Sequence, residues 1–343
     1  MENLLKTLLK EKKEAELIRL NAVDIVNSIL DELQDRERDV ISRRFALGRD
    51  NYQTLEEIGR TYNLTRERVR QIERASLKKI KSINDLDKRL ESVREVVSKL
   101  LDEHGGIMEK NFMLDILTVM TVKIEQDGGS LDRESYKNYL EFLLSELLDD
   151  HIQKVNKSNK FSPFFKLKNQ TVDYFDNIVD ELKSKLDGAK KVLEFEELVN
   201  VLKNLKSFSL HSDKIVKDKS DLDLKAIFKD DVFPEWADII NKNKPFYSFM
   251  QAVKDVNPNK FGFWGHDDWS EIKPKRIADK IFLVLKNEKK PLHFTDITTK
   301  INEVGFDKKK VSSGSVHNEL ILDDRYVLTD RGVYGLKDWS MAS

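Results

Sequence analysis

A chain of 343 residues is too long for one small core and reads as modules in series, because single domains mostly run about 100–200 residues. Its 39% hydrophobic and 35% charged residues, with few glycines or prolines, describe a helix-rich globular protein and exclude disordered or fibrous chains. The absence of cysteine excludes a disulfide framework, a thiolate zinc site and a cysteine nucleophile, and fits a reducing, cytoplasmic compartment.

The longest apolar runs, such as ILTVM from Ile116, fall far short of the ~20 residues of a membrane span. In the opening MENLLKTLLKEKKEAEL, charges interrupt the leucines before a signal-peptide core forms, so neither a membrane nor an export route is expected. The net charge of -1 hides an uneven distribution. Residues 1–33 carry 5 basic and 7 acidic groups, residues 34–82 carry 13 and 8, and residues 83–343 carry 42 and 46. The basic excess is therefore local.

Residues 1–33 place Leu4, Leu5, Leu8, Leu9, Ile18, Val23, Val26, Ile29, Leu30 and Leu33 at helical spacing, which predicts one or two amphipathic helices packing on a neighbour. A second module follows over 34–83. Thr54 with Glu57 three residues later is a capping box, so a helix starts at Leu55. Asn63 tolerates a left-handed backbone and suits a helix stop, and Thr65 is an N-cap for a third helix from Arg66. Two helices joined by so short a turn make a helix-turn-helix.

On a helical wheel, Val69, Ile72, Ser76 and Ile80 of the third helix form one apolar face, opposite Glu67, Arg70, Gln71, Arg74 and Lys78. That polar ridge holds side chains that read bases in the major groove: arginine pairs with guanine, glutamine with adenine, and glutamate accepts from cytosine. The first turns of a recognition helix face base edges, which makes Arg66, Glu67, Arg70 and Gln71 the readout candidates. Arg68, Arg74, Lys78, Lys79 and Lys81 are placed for phosphates, which fix register without reading sequence. A solvated charged face is the common alternative for such a helix. The capping box, the short turn and the local basic excess favour double-stranded DNA.

The stretch TLEEIGRTYNLTRERVRQIERASLKKIK resembles region 4 of sigma-70 family RNA polymerase sigma factors, continuously through both helices, with the resemblance running from about Leu33 to Ser82. It implies recognition of a minus-35 promoter element through Arg66, Glu67, Arg70 and Gln71, with backbone contacts near Thr54, Leu55 and Thr65. It also implies docking on the beta flap of RNA polymerase core, in which the Leu33–Leu47 helix would share. LQDRERDVI departs from the family's usual LPxRE at Gln34 and Asp35, where Asp35 is expected to cap the helix itself. The residues before the match are too few and too poor in aromatics for the sigma regions that melt DNA, so an ordinary, self-sufficient sigma factor is not expected.

Beyond residue 82, three passages repeat one plan. Each opens with an amphipathic helix (near Leu90–Glu103, Val172–Leu186 and Arg276–Lys286), continues with a short apolar phrase and closes on an aromatic, β-prone phrase. Helices followed by a small hairpin are the sequence form of a winged helix, with Asp330-Arg331-Gly332 as the last hairpin turn. Expected boundaries are 84–170, 171–268 (divergent) and 269–343. In the last, PLHFTDI, SVHNELI and RYVLTDRGVYGL resemble the HARE-HTH domain, a winged helix also found in the delta subunit of bacterial RNA polymerase. His293 and His317 lack a third ligand at useful spacing and are expected to pack or cap rather than bind metal. Phe261, Phe263, Trp264 and Trp269 suit a buried wing better than base stacking. Lys308, Lys309 and Lys310 suit phosphate or protein about equally.

No nucleotide-binding or metallohydrolase motif is present, and the nuclease-like Asp221, Asp223 and Lys225 match arises readily by chance in so charged a chain. The reading is a mainly α, non-catalytic DNA-binding protein of bacterial transcription: a helix-turn-helix followed by tandem winged-helix units, needing no cofactor, metal or small-molecule substrate. The alternatives are a delta-like polymerase accessory protein and the recognition component of a modification or restriction defence system.

Overall fold

The computed structural model describes residues 21–49, 51–122, 133–156, 158–216 and 237–341, so Leu4 to Ile18 and the Asp221–Asp223–Lys225 match lie outside the described residues. The described chain is mainly helical with small antiparallel sheets. It divides into two compact units, Met1–Val172 with His211–Ala252, and Asp173–Leu210 with Val253–Ser343. Residues 171–268 are thus shared between both units.

The first unit opens with α1 (Ala22–Leu30), capped by Asn21, whose Oδ1 accepts from Val23 N and Asp24 N at 3.1 Å each. In α2 (Asp35–Phe45) the cap position falls on Gln34, one residue before the aspartate expected to fill it. The Glu37 carboxylate accepts from Gln34 N at 3.0 Å and takes over the capping, which leaves Asp35 in the first turn. Then come α3 (Leu55–Tyr62), α4 (Arg66–Lys81) and α5 (Leu86–Glu103). The last of these buries Leu90, Val93, Val97, Leu100 and Leu101 at the three-and-four spacing of one face.

β1 (Ile107–Glu109), α6 (Lys110–Val122), α7 (Arg133–Phe142), β2 (Ile152–Val155) and β3 (Phe164–Leu167) follow. The sheet order is β1–β3–β2, with Phe165 of the central strand opposite Met108 on one side and Lys154 on the other. A return helix, Lys244–Ala252, closes this unit and buries Phe246, Tyr247, Phe249 and Met250. Beneath it lies a polar cluster. Lys244 Nζ meets Glu103 at 3.0 Å, and His104 Nδ1 lies 2.5 Å from Ser248 Oγ; Lys244, His104 and Ser248 are buried, and the Glu103 side chain is 8% exposed. Complete burial, together with the Lys244 charge, pushes the His104 imidazole down to about 3.

The second unit starts with α8 (Tyr174–Ala189) and α9 (Phe195–Lys203). Leu193, between them, pairs with Trp264 of β5 (Trp264–His266), which pairs antiparallel with β4 (Val256–Pro258). Trp264 is buried against Phe195, with ring centroids 5.6 Å apart, and Phe261 and Phe263 are half-buried. Trp269 leans over Gly265, where a Cβ would stand 2.7 Å from the indole. The unit ends with α10 (Ile277–Glu288), β6 (Leu292–His293), α11 (Phe294–Val304), α12 (Ser313–Leu322), β7 (Tyr326–Asp330) and β8 (Val333–Leu336) in the order β6–β8–β7. Gly332, at φ +70°, makes the β7–β8 turn. His293 caps α11, accepting from Thr295 N at 3.4 Å, and His317 meets the Tyr334 hydroxyl at 3.1 Å. The succession helix–strand–helix–helix–strand–strand, with the third strand central, therefore occurs in α5 to β3 and again in α10 to β8. Among the described residues no helix is long and apolar enough to cross a membrane, and no group of His, Asp and Glu could hold a metal ion.

Candidate nucleic-acid interface

The α3–turn–α4 arrangement is fixed by short-range chemistry. Thr54 Oγ1 accepts from Glu57 N at 3.2 Å while Glu57 Oε2 accepts from Thr54 N at 2.7 Å, a reciprocal cap that opens α3. Asn63 ends it in the left-handed region at φ 53°, ψ 45°. Leu64 N then donates to Gly59 O at 2.8 Å, folding the turn back over the helix. Only glycine fits there, since a Cβ on Gly59 would stand 2.6 Å from Leu64 O. Thr65 Oγ1 accepts from Arg68 N at 3.2 Å and starts α4.

A small core holds the two helices on α2: Val40, Ile58 and Val69 are fully buried, with Leu55, Tyr62, Leu64 and Ile72 packed around them. Polar ties add to it. Asp39 of α2 accepts from Arg43 Nε and Arg49 Nη2, each at 2.5 Å, and from the Tyr62 hydroxyl. Partial burial would raise its carboxyl, but the donors Tyr62 and Arg43 outweigh that and hold it below the usual carboxylate range. Arg44 reaches Glu73 of α4 at 3.2 Å.

This frame presents the polar side of α4 outward. Arg66, Glu67, Gln71, Arg74 and Lys78 are exposed and Arg70 is half-buried, while Val69, Ser76 and Ile80 are buried on the other side. The readout candidates are pre-arranged. Arg70 grips Glu67 through two hydrogen bonds of 2.7 and 2.5 Å, which holds the Glu67 carboxyl below its ordinary value. Arg68 Nη1 donates to Gln71 Oε1 at 3.1 Å.

The phosphate candidates divide. Arg68, Arg74 and Lys78 make no ion pair among the described residues, whereas Lys79 is paired with Glu37 at 3.0 Å and Lys81 with Asp149 at 2.7 Å. Thr54 and Thr65 are exposed at the two caps, but their hydroxyls already serve the helices; Leu55 is half-buried in the small core. Nothing in the local pattern signalled Asp39 or the Arg44–Glu73 tie, because both link residues of different elements.

The apolar side chains of the Leu33–Leu47 stretch are spent within the chain: Leu33, Val40, Ile41, Ala46 and Leu47 are all buried. Phe45 packs at a tilt against Phe142, ring centroids 4.9 Å apart, and Asn138 of α7 donates to Ala46 O at 3.3 Å and accepts from the Tyr52 hydroxyl at 2.7 Å. Burial, with Glu141 and Glu134 nearby, pushes that hydroxyl up to about 12.

Residues 29–82 match the family described as sigma-70, region 4, and form a domain of that family. Over 59 residues the chain is 48% identical to the RNA polymerase sigma factor SigA of Nostoc sp., which covers 17% of this chain and 15% of that protein. Over 58 residues it is 53% identical to the sigma factor RpoD of Helicobacter pylori, covering 17% of this chain and 9% of that protein. SigA of Listeria monocytogenes is 46% identical over 56 residues, 16% of this chain and 15% of its own length. The chain therefore spans less than a fifth of the length of these curated relatives. No solved structure matches it.

Proposed function

We propose that the protein is a non-catalytic, sequence-specific DNA-binding transcription factor whose reader is the region 4 domain. The outer ridge of α4 enters the major groove of promoter-like duplex DNA: Arg66, Glu67, Arg70 and Gln71 face base edges, and Arg68, Arg74 and Lys78 face phosphates. The observation that carries this is the exposed, pre-paired Glu67–Arg70 and Arg68–Gln71 ridge on a helix whose opposite side is fully packed. Lys79 and Lys81 reach phosphate only by leaving Glu37 and Asp149, so they contribute less than Arg68, Arg74 and Lys78, which have no carboxylate to leave. The sigma factors that match over this segment support association with RNA polymerase. Because the apolar face of Leu33–Leu47 is buried, a flap contact there would use its exposed polar edge, Gln34, Asp35 and Arg36.

The repeated helix–strand–helix–helix–strand–strand order supports tandem winged-helix units behind the reader, the last HARE-HTH-like. Selection of bound duplexes from a random pool tests the reader. The full chain is expected to enrich one motif, Glu67→Ala and Gln71→Ala to relax one or two positions of it, and all three proteins to keep salt-sensitive background binding. An unchanged motif in both variants would refute readout by this face.

A further inference from the structure

The last helix-turn-helix of the chain is chemically unlike the first. Whereas α4 carries seven basic side chains, α12 (SGSVHNELIL) carries none. Its C-terminal end and the strand after it instead expose aliphatic side chains: Ile321 is 62% exposed, Leu322 79% and Leu328 58%.

Single exposed leucines are ordinary, but three within eight residues on adjoining elements form a patch. The register places Leu328 opposite Tyr334, so the two side chains share one side of the hairpin. The Tyr334 hydroxyl meets His317 of α12 at 3.1 Å, and Ile321 lies one turn beyond His317 on the same helix face. Around these positions stand Glu319, Asp323, Asp324 and Asp330. Of the two arginines there, Arg325 is committed to Asp323 at 2.8 Å and Asp279 at 3.1 Å, and Arg331 stands exposed at the hairpin turn beside Asp330, so four carboxylates surround the patch against two guanidiniums. Lys308, Lys309 and Lys310 precede the N-terminal end of α12, about 15 Å away by helix rise.

We propose that the Ile321–Leu322–Leu328 patch is a protein-docking surface for a partner segment that presents aliphatic side chains flanked by lysine or arginine. The acidic surround repels phosphate and selects a basic polypeptide, while the aliphatic centre supplies the area to be buried. This surface is independent of the DNA reader and stands or falls without it.

The test uses the full chain in its native host, with a photo-cross-linking phenylalanine analogue in place of the exposed Asn318, one helical turn before Ile321 and Leu322. Expected is an adduct to another protein whose cross-linked peptide holds aliphatic residues beside lysine or arginine. Its yield should fall about tenfold in Ile321→Ser with Leu322→Ser, as for loss of an interface anchor, and also in Asp324→Lys, while Lys309→Glu at the far end leaves it unchanged. An adduct to DNA, to an acidic segment or to a second copy of this chain would overturn the proposal, as would no adduct or a yield indifferent to Ile321 and Asp324.

Discussion

At Gly59, inside α3, an alanine would ordinarily add about 1 kcal/mol of helix stability. Here its Cβ would meet Leu64 O at 2.6 Å, a backbone atom fixed by the turn, so the clash outweighs the propensity gain. Gly59→Ala is expected to lower hydrogen-exchange protection across Leu55–Lys81 by about tenfold or more, in line with ~1–3 kcal/mol for overpacking; equal or greater protection would show that the turn yields. Asp39 gives a pH dependence. Its carboxyl is held below its usual 3.8, so its contribution is present above about 3.8 and is lost as pH falls through the lower folded value. Exchange protection of α3 and α4 should therefore drop on the acid side, and less steeply in Asp39→Asn, a comparison that hydrogen exchange at stepped pH makes directly.

Among the elements, α4 depends on its first turn, where the Thr65 cap adjoins the proposed readout residues. Thr65→Ala removes the acceptor for Arg68 N and is expected to cost about 1 kcal/mol. Fraying there should weaken DNA binding severalfold without changing the preferred motif, unlike Glu67→Ala, and motif selection beside affinity titration separates the two. This contrast also explains what the sequence made legible. Thr54, Asn63 and Thr65 mark helix ends through partners within a few residues, and the α4 wheel needs only periodicity. The Asp39–Arg49, Lys81–Asp149 and Ala46–Asn138 bonds join residues 10, 68 and 92 positions apart, beyond any local pattern. The cap of α2 moved from Asp35 to Gln34 because the reach of Glu37, a side-chain matter, decided it.

For the whole molecule, the Glu103–Lys244 and His104–Ser248 contacts close the first unit across a long interruption in sequence. His104 sits at about 3 when folded against an ordinary 6.5, so its neutral form contributes stability fully above about 6.5 that is lost progressively as pH falls toward 3. The thermal midpoint of the full chain should fall between pH 7 and pH 5, and His104→Gln should flatten that slope; parallel slopes would mean that other groups dominate. Removing the return helix should be costlier than removing a tail, because it takes the Lys244 charge from Glu103 and uncovers the core that Phe246, Tyr247, Phe249 and Met250 fill. A fragment of residues 1–172 is expected to melt well below one of residues 1–252, as followed by circular dichroism, and equal melting would place Lys244–Ala252 outside the core. The interleaving also sets an order of events on the ribosome. With elongation at ~5–20 residues per second, the strand at Ile107–Glu109 leaves the exit tunnel on the order of ten seconds before the helix that covers it. The region 4 helices α3 and α4 are translated earlier still, so a nascent chain can hold its proposed reader before the unit containing it is finished.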